Sequence, residues 1–264
     1  GPVVVLAAED RRETLLARLL YMCQQLNLSQ DEERQVREEV NITDVSGKGF
    51  KLTTVEKDVV APSKLLDRFV VNAFELHPSL IIIDPMVSFG VGESRINDSE
   101  QGLIDAARRI KNELRCAVLY VHHTGKANAR DASLDQYSGR GGSALADGAR
   151  MVHVLQRLDH EAWTEATGDE LADDDSGFVL ARPKMTWCPP QPHIYLKRRG
   201  YVFERFDAVA ATEGAGAVID RDAEKVFQFL REEYLQGKKY SQNDLMHLKL
   251  MSNGRLRAAV SRLK

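Results

Sequence analysis

The chain has 264 residues, 43% hydrophobic and 28% charged, which at about 150 residues per domain suits one large domain with a small companion and excludes wholesale disorder. A formal net charge of −3 argues against a generally basic nucleic-acid coat. Cys23, Cys116 and Cys188 are far apart and form no C-x-x-C pair, so a disulfide scaffold and a structural zinc site are disfavoured and a reducing, cytoplasmic setting is expected. No apolar run approaches the ~20 residues that span a bilayer, so no membrane partner is expected.

In chain order, 3–7 is a run of small apolar residues closed by Glu9 and Asp10. A strand buried on both faces of a parallel sheet has this pattern. Leu15, Leu16, Leu19, Leu20 and Cys23 recur at helical spacing, which predicts a helix over 13–27. Segments 40–45 and 50–54 read as short strands or extended loops. The stretch 62–76 reads as a helix with Leu65, Leu66, Phe69, Val70 and Phe74 on one face, stopped by His77-Pro78. A second buried strand, 80–83, ends in Asp84. A helix over 99–114 comes next, and then a third strand, 117–121, ends in His122-His123. A helix-compatible stretch, 144–149, precedes a fourth strand, 151–155. Strands alternating with helices predict a parallel sheet, and 178–181, 193–197 and 202–206 read as antiparallel additions at its edge. Segment 159–176 is acidic and reads as a loop with some helix.

Charge divides the chain. Residues 221–264 carry ten Lys/Arg and five Asp/Glu, a surplus of five positive charges over a remainder that is eight negative. The small-residue stretch AVAATEGAGA, 208–217, reads as the linker between them. The expected organisation is a core over 1–207, a linker over 208–218 and a small all-α domain over 219–264.

Ligands of open α/β sheets bind outside the carboxyl ends of the strands. Here three successive strands end in Glu9-Asp10, Asp84 and His122-His123. A carboxylate after a buried strand can hold Mg²⁺ beside a phosphate, although an isolated Asp there is as readily a helix cap or turn residue. Three polar strand ends in succession favour a site.

Taken with Gly139-Arg140-Gly141-Gly142-Ser143, the stretches Ala7–Asp10, Leu80–Pro85 and Val121–Lys126 resemble successive motifs of RecA-fold ATPases. They are most similar to the RepA-type hexameric replicative DNA helicases of plasmids and phages, and the likeness extends from Gly1 to about Phe206. The resemblance implies a RecA-like, mostly parallel sheet flanked by helices, a homo-oligomeric ring, typically a hexamer, and ATP with Mg²⁺ bound between subunits. Glu9 then corresponds to the glutamate that polarises the attacking water, Asp84 to the magnesium ligand, and His123 to the sensor of the γ-phosphate. Arg150 corresponds to the arginine finger offered to a neighbouring subunit. Asp10, His122, Arg140 and Lys184 are further candidates for the nucleotide site, His122 as packing or tautomer support and the two cations as alternatives to Arg150. Without the motif, each of these arginines reads as a surface ion pair.

The resemblance also implies a phosphate loop, G-x-x-x-x-G-K-[ST]. Ser46-Gly47-Lys48-Gly49 lacks the first glycine and the final Ser/Thr, and Gly125-Lys126-Ala127 fails similarly. The loop is therefore expected before Gly1, or lost in a non-hydrolysing relative. Lys126 and Arg130 lie in a polar stretch, 125–137, that the resemblance places towards single-stranded DNA in a ring channel; an ordinary solvated loop is the other reading.

The basic tail predicts three short helices, with Val226, Phe227, Leu230, Tyr234, Leu245, Leu248, Leu256, Val260 and Leu263 inward and Ser241 capping the second. Arg255, Arg257 and Arg262 face outward on the third helix, as in a helix-turn-helix, winged in the expected form, whose third helix enters a duplex groove. Docking of a replication protein is the alternative for this module. The combined expectation is an ATP-dependent DNA helicase or translocase. A non-hydrolysing DNA-binding or regulatory RecA-fold protein and a recombination or repair ATPase are the rivals.

Overall fold

The computed structural model describes residues 1–91, 96–125, 133–139, 141–206, 211–248, 250–251 and 253–263. In chain order the elements are β1 (Val3–Ala7), α1 (Arg12–Gln25), α2 (Gln30–Glu39), β2 (Val40–Asp44), β3 (Thr53–Glu56), β4 (Val59–Pro62), α3 (Lys64–Phe74), β5 (Leu80–Asp84), a 3₁₀ turn (Met86–Phe89), α4 (Ile96–Leu114) and β6 (Ala117–Tyr120). Next come α5 (Ala144–Gly148), β7 (Met151–Leu158), α6 (His160–Thr167), β8 (Ser176–Met185), β9 (Ile194–Arg199), β10 (Val202–Phe206), α7 (Ala211–Leu235), α8 (Gln242–His247) and α9 (Asn253–Leu263).

Four strands form a parallel sheet in the order β2-β1-β5-β6. Helices flank it, as in a RecA-like α/β fold. The register levels the strand ends: Ala7 stands opposite both Asp44 and Asp84, so three strands finish together at one edge. Val4, Leu6, Ile81 and Ile83 are buried in one core with Leu66, Val70 and Ala73 of α3 and Leu103, Ala106 and Ile110 of α4. Removing one such leucine to alanine costs about 2–5 kcal/mol. Hairpin β3–β4 turns through Lys57 and Asp58, both at positive φ, the backbone of a two-residue turn that matches strand twist.

Several local expectations shift. Helix α2 occupies a segment with no assigned structure, and its cap, Ser29 with Glu32 three residues on, is a reciprocal capping box. On α3 the buried face is Leu66, Val70 and Ala73, while Phe74 turns outward against His77. Strand β7 does not extend the parallel sheet. It joins β8, β9 and β10 in a second sheet of order β10-β9-β8-β7, started by the Thr186 N–H and hydroxyl donating to the Arg150 carbonyl. Residues 178–181, 193–197 and 202–206 therefore lie in a sheet of their own.

The chain resolves into two compact units, one of residues 1–156 and 181–193, the other of 157–180 and 194–264. This differs from a division at 207/208, because β9, β10 and α6 group with the helical tail. In the second unit Trp163 of α6 is fully buried against Tyr195 and Phe206, with ring centroids 6.2 and 5.4 Å away. Helix α7 begins at Ala211, inside the stretch expected as linker. Helices α7–α9 share a core of Ala223, Val226, Leu245, Leu256 and Ala259. Phe227, Tyr234, Leu248 and Leu263, expected inward, are exposed. Among the described residues from 211 on there is no strand. No helix among the described residues is long and apolar enough to cross a membrane, and the three cysteines are free thiols.

Candidate functional site

The level strand ends of β1 and β5 bring Glu9, Asp10 and Asp84 to one edge, and His122-His123 continue it after β6. The alignment is closed by backbone bonds beyond the strands: Ala8 N–H donates to the Asp84 carbonyl (2.9 Å), Val121 N–H to that of Ile83 (3.0 Å) and Val45 N–H to that of Ala7 (2.8 Å). His123 Nε2 lies 3.7 Å from Glu9 Oε1. Asp10 is held by Arg18 of α1, Nη1 to Oδ2 2.6 Å.

Asp84 is half-buried, and burial followed by the Glu9 carboxylate pushes its carboxyl above the ordinary range; Asp10 adds to this and His123 opposes it. A carboxylate so placed is short of positive charge. Among the described residues no group of three potential ligands surrounds a metal ion. Asp84 is the carboxylate at this edge that could hold a Mg²⁺ arriving with phosphate oxygens and water, the usual habit of that ion. The turn 46–49, at the same edge, offers no lysine to a phosphate: Lys48 Nζ closes back on the Asp44 carbonyl (2.6 Å). The Asp44 carboxylate accepts from the Ser46 hydroxyl and amide, which hold its carboxyl below the usual range, and from the Arg12 amide at the start of α1.

Past His123 the chain doubles back. Thr124 pairs with Gly139 and the Gly125 N–H donates to the Ser138 carbonyl, 3.0 Å. A Cβ on Gly139 would come within 2.7 Å of the His122 ring, so glycine there lets the backbone lie on the imidazole. Lys126, Arg130 and Arg140 lie outside the described residues.

Helix α5 and its surroundings carry the remaining cations. Lys184 Nζ donates to the carbonyls of Ala146 (2.7 Å) and Asp147 (2.9 Å), so it caps the end of α5. Arg150 comes after α5 with an exposed side chain that makes no ion pair among the described residues. Neither cation is among the charges that act on Asp84.

Sequence reading missed Glu100 of α4. Its side chain is buried, at 4% exposure, and accepts from Gly142 N–H (2.7 Å) and Leu145 N–H (3.1 Å). Nothing local marked it, since Ser99-Glu100-Gln101 reads as a solvated helix face. In the helical module Arg257 and Arg262 are exposed on α9; Arg255 lies on the same helix.

Residues 1–129 match the AAA domain family. No curated protein matches the chain. Among solved structures the KaiC-like protein PH0186 from the hyperthermophilic archaeon Pyrococcus horikoshii OT3 is similar over 78% of this chain and 75% of its own, at 11% identity and a TM-score of 0.47. The matched stretch holds all four strands of the parallel sheet with Glu9, Asp10, Asp84, His122 and His123, and it supports a RecA-like ATPase.

Proposed function

We propose that this chain is the core of an ATP-dependent DNA helicase or translocase of the kind used in plasmid or phage replication, working as a ring, typically a hexamer, around one DNA strand. The observation that carries the reading is the convergence of Glu9, Asp84 and His123 at the ends of adjoining parallel strands, inside the stretch that matches AAA domains. In this reading Asp84 takes Mg²⁺ that accompanies the nucleotide. Glu9 orients and deprotonates the attacking water. His123, 3.7 Å from Glu9, donates to the terminal phosphate and reports its departure. Arg150, exposed on a neighbouring subunit, offsets the charge that develops in transfer. Lys126 and Arg130 touch single-stranded DNA. Helices α8 and α9 form a helix-turn-helix whose Arg255, Arg257 and Arg262 meet duplex phosphates, a replication protein being the other candidate for that surface.

The amide cradle for the phosphates is the element that these 264 residues do not supply, since no G-x-x-x-x-G-K-[ST] run occurs in them. A second reading therefore stands beside the first: a DNA-binding protein that keeps the RecA-like scaffold without hydrolysis.

Calorimetric titration with ATP and Mg²⁺, then steady-state hydrolysis with and without single-stranded DNA, separates the two. Magnesium-dependent binding abolished by Asp84→Asn, and turnover stimulated by DNA, support the motor. DNA binding without either selects the scaffold.

A further inference from the structure

Helix α5 is a short element held from outside itself at both ends. At its start, Gly142 and Leu145 donate their N–H groups to the two oxygens of Glu100, which reaches across from α4. Gly141 is at φ +137°, and any Cβ there would run into Glu100 Oε1, so the turn is shaped around that carboxylate. Along its length, Gly148 lies against Ile104, one turn beyond Glu100 on α4; a Cβ on it would meet three Ile104 carbons at 2.8–3.0 Å. At its end, Lys184 holds the carbonyls of Ala146 and Asp147, while the Tyr137 hydroxyl donates to Asp147 Oδ1 at 2.8 Å. Two residues later the Arg150 carbonyl accepts from the Thr186 N–H (3.0 Å) and hydroxyl (2.8 Å). The Arg150 side chain takes no part in these bonds.

So much fixation for so short a helix is more than a connection between strands needs. A buried carboxylate is kept only where donors compensate its lost hydration, and the donors here are the Leu145 amide, which its own helix start leaves unsatisfied, and the Gly142 amide just before the cap. We propose that Glu100 is a positioning residue for Arg150: it fixes α5 against α4, Lys184 fixes the other end, and the guanidinium is thereby presented in one place to the phosphates it serves. This rests on the reading of Arg150 as a phosphate-facing cation. Glu100 itself touches no substrate in this scheme.

The test compares Glu100→Gln, Arg150→Ala and the double variant in the full protein. Glutamine preserves shape but has one acceptor oxygen, and its amide sets N–H against N–H at the second site. Hydrogen exchange at Gly142 and Leu145 should quicken by roughly tenfold or more in Glu100→Gln. ATP turnover should fall by about tenfold in kcat with KM unchanged, because only an interaction made in the transition state is lost. In the Arg150→Ala background, Glu100→Gln should cost nothing further. If Glu100→Gln does not fold, Glu100→Asp, which keeps the charge but draws both oxygens back from Gly142 and Leu145, takes its place with the same readouts. Unchanged exchange at Gly142 and Leu145 overturns the proposal, as do losses that simply multiply in the double variant. Absence of turnover in the wild-type protein removes the ATPase reading instead, and the exchange comparison alone then decides whether Glu100 fixes α5.

Discussion

Glu9 and His123 come from strands that do not touch, β1 and β6, yet their side chains stand 3.7 Å apart across the end of β5, where Asp84 lies. Both are about 60% exposed, so as an ion pair they contribute little to stability. Glu9→Gln and His123→Ala should each leave unfolding within about 0.5 kcal/mol of wild type. Glu9→Gln should lower kcat for ATP hydrolysis by roughly 10²–10⁴ with KM little changed, the loss expected for a general base. Denaturant melts beside steady-state kinetics check this, and a large stability loss in either variant would make the pair structural.

Asp84 opposes folding at neutral pH. Its carboxyl titrates above the ordinary value of 3.8 because of burial and then Glu9, so the folded state binds its proton more tightly than the unfolded chain does. Stability from this group is therefore present at low pH and is lost as pH rises from the unfolded value through the folded one. Asp84→Asn removes the penalty and should raise stability at pH 7 on the order of 1 kcal/mol, with the gain shrinking on acidification. The same variant should lose magnesium-dependent nucleotide binding. Thermal melts from pH 3 to 8 and a titration with ATP–Mg²⁺ measure the two effects; no gain at pH 7 would remove the idea of a penalised carboxylate.

Asp175 presents the opposite sign in the second unit. Arg199 grips it with two bonds of 2.9 and 3.0 Å, and the Asp175 side chain is only 4% exposed against 67% for Arg199. The guanidinium holds the carboxyl below its usual range, so the pair stabilises above the unfolded pKa and the benefit disappears as pH falls through the folded one. Arg199→Ala should lower the melting temperature at pH 7 and differ least from wild type near pH 2. An equal deficit at both pH values would assign the loss to packing.

Helices α7–α9 give a two-part prediction. Leu256→Ala, in the shared core of that module, should cost about 2–5 kcal/mol. Arg257→Ala with Arg262→Ala should leave folding intact and weaken binding to duplex DNA of any sequence, reducing the salt slope of log affinity by about 2. Fluorescence anisotropy at several salt concentrations reads it; an unchanged slope turns the surface towards a protein partner.

Much of the parallel sheet was legible because its strands are buried on both faces and so announce themselves as short apolar runs with a charge at the end. Val3–Ala7 and Leu80–Asp84 could be placed from composition alone, and Ser241 marked a helix start because its hydroxyl accepts from a backbone N–H three residues on. The buried faces of the marginal helices were less legible. On α7 the core takes Ala223, Val226 and Leu230 and leaves Phe227 outside, since an apolar ring adjacent in sequence points elsewhere on a helix and only the neighbours select a side.

That polar groups close three buried strands could be read segment by segment, for burial and charge are local properties. Tertiary structure alone decided which of those groups meet. Pairing put Ala7 opposite Asp84 and set His123 beside Glu9; pairing also drew β7 into a separate sheet. It turned Glu100 from an ordinary helix glutamate into a buried acceptor for amides 42 and 45 residues away. Hydrogen bonds and desolvation act between atoms that are close in space, and no local pattern encodes that distance.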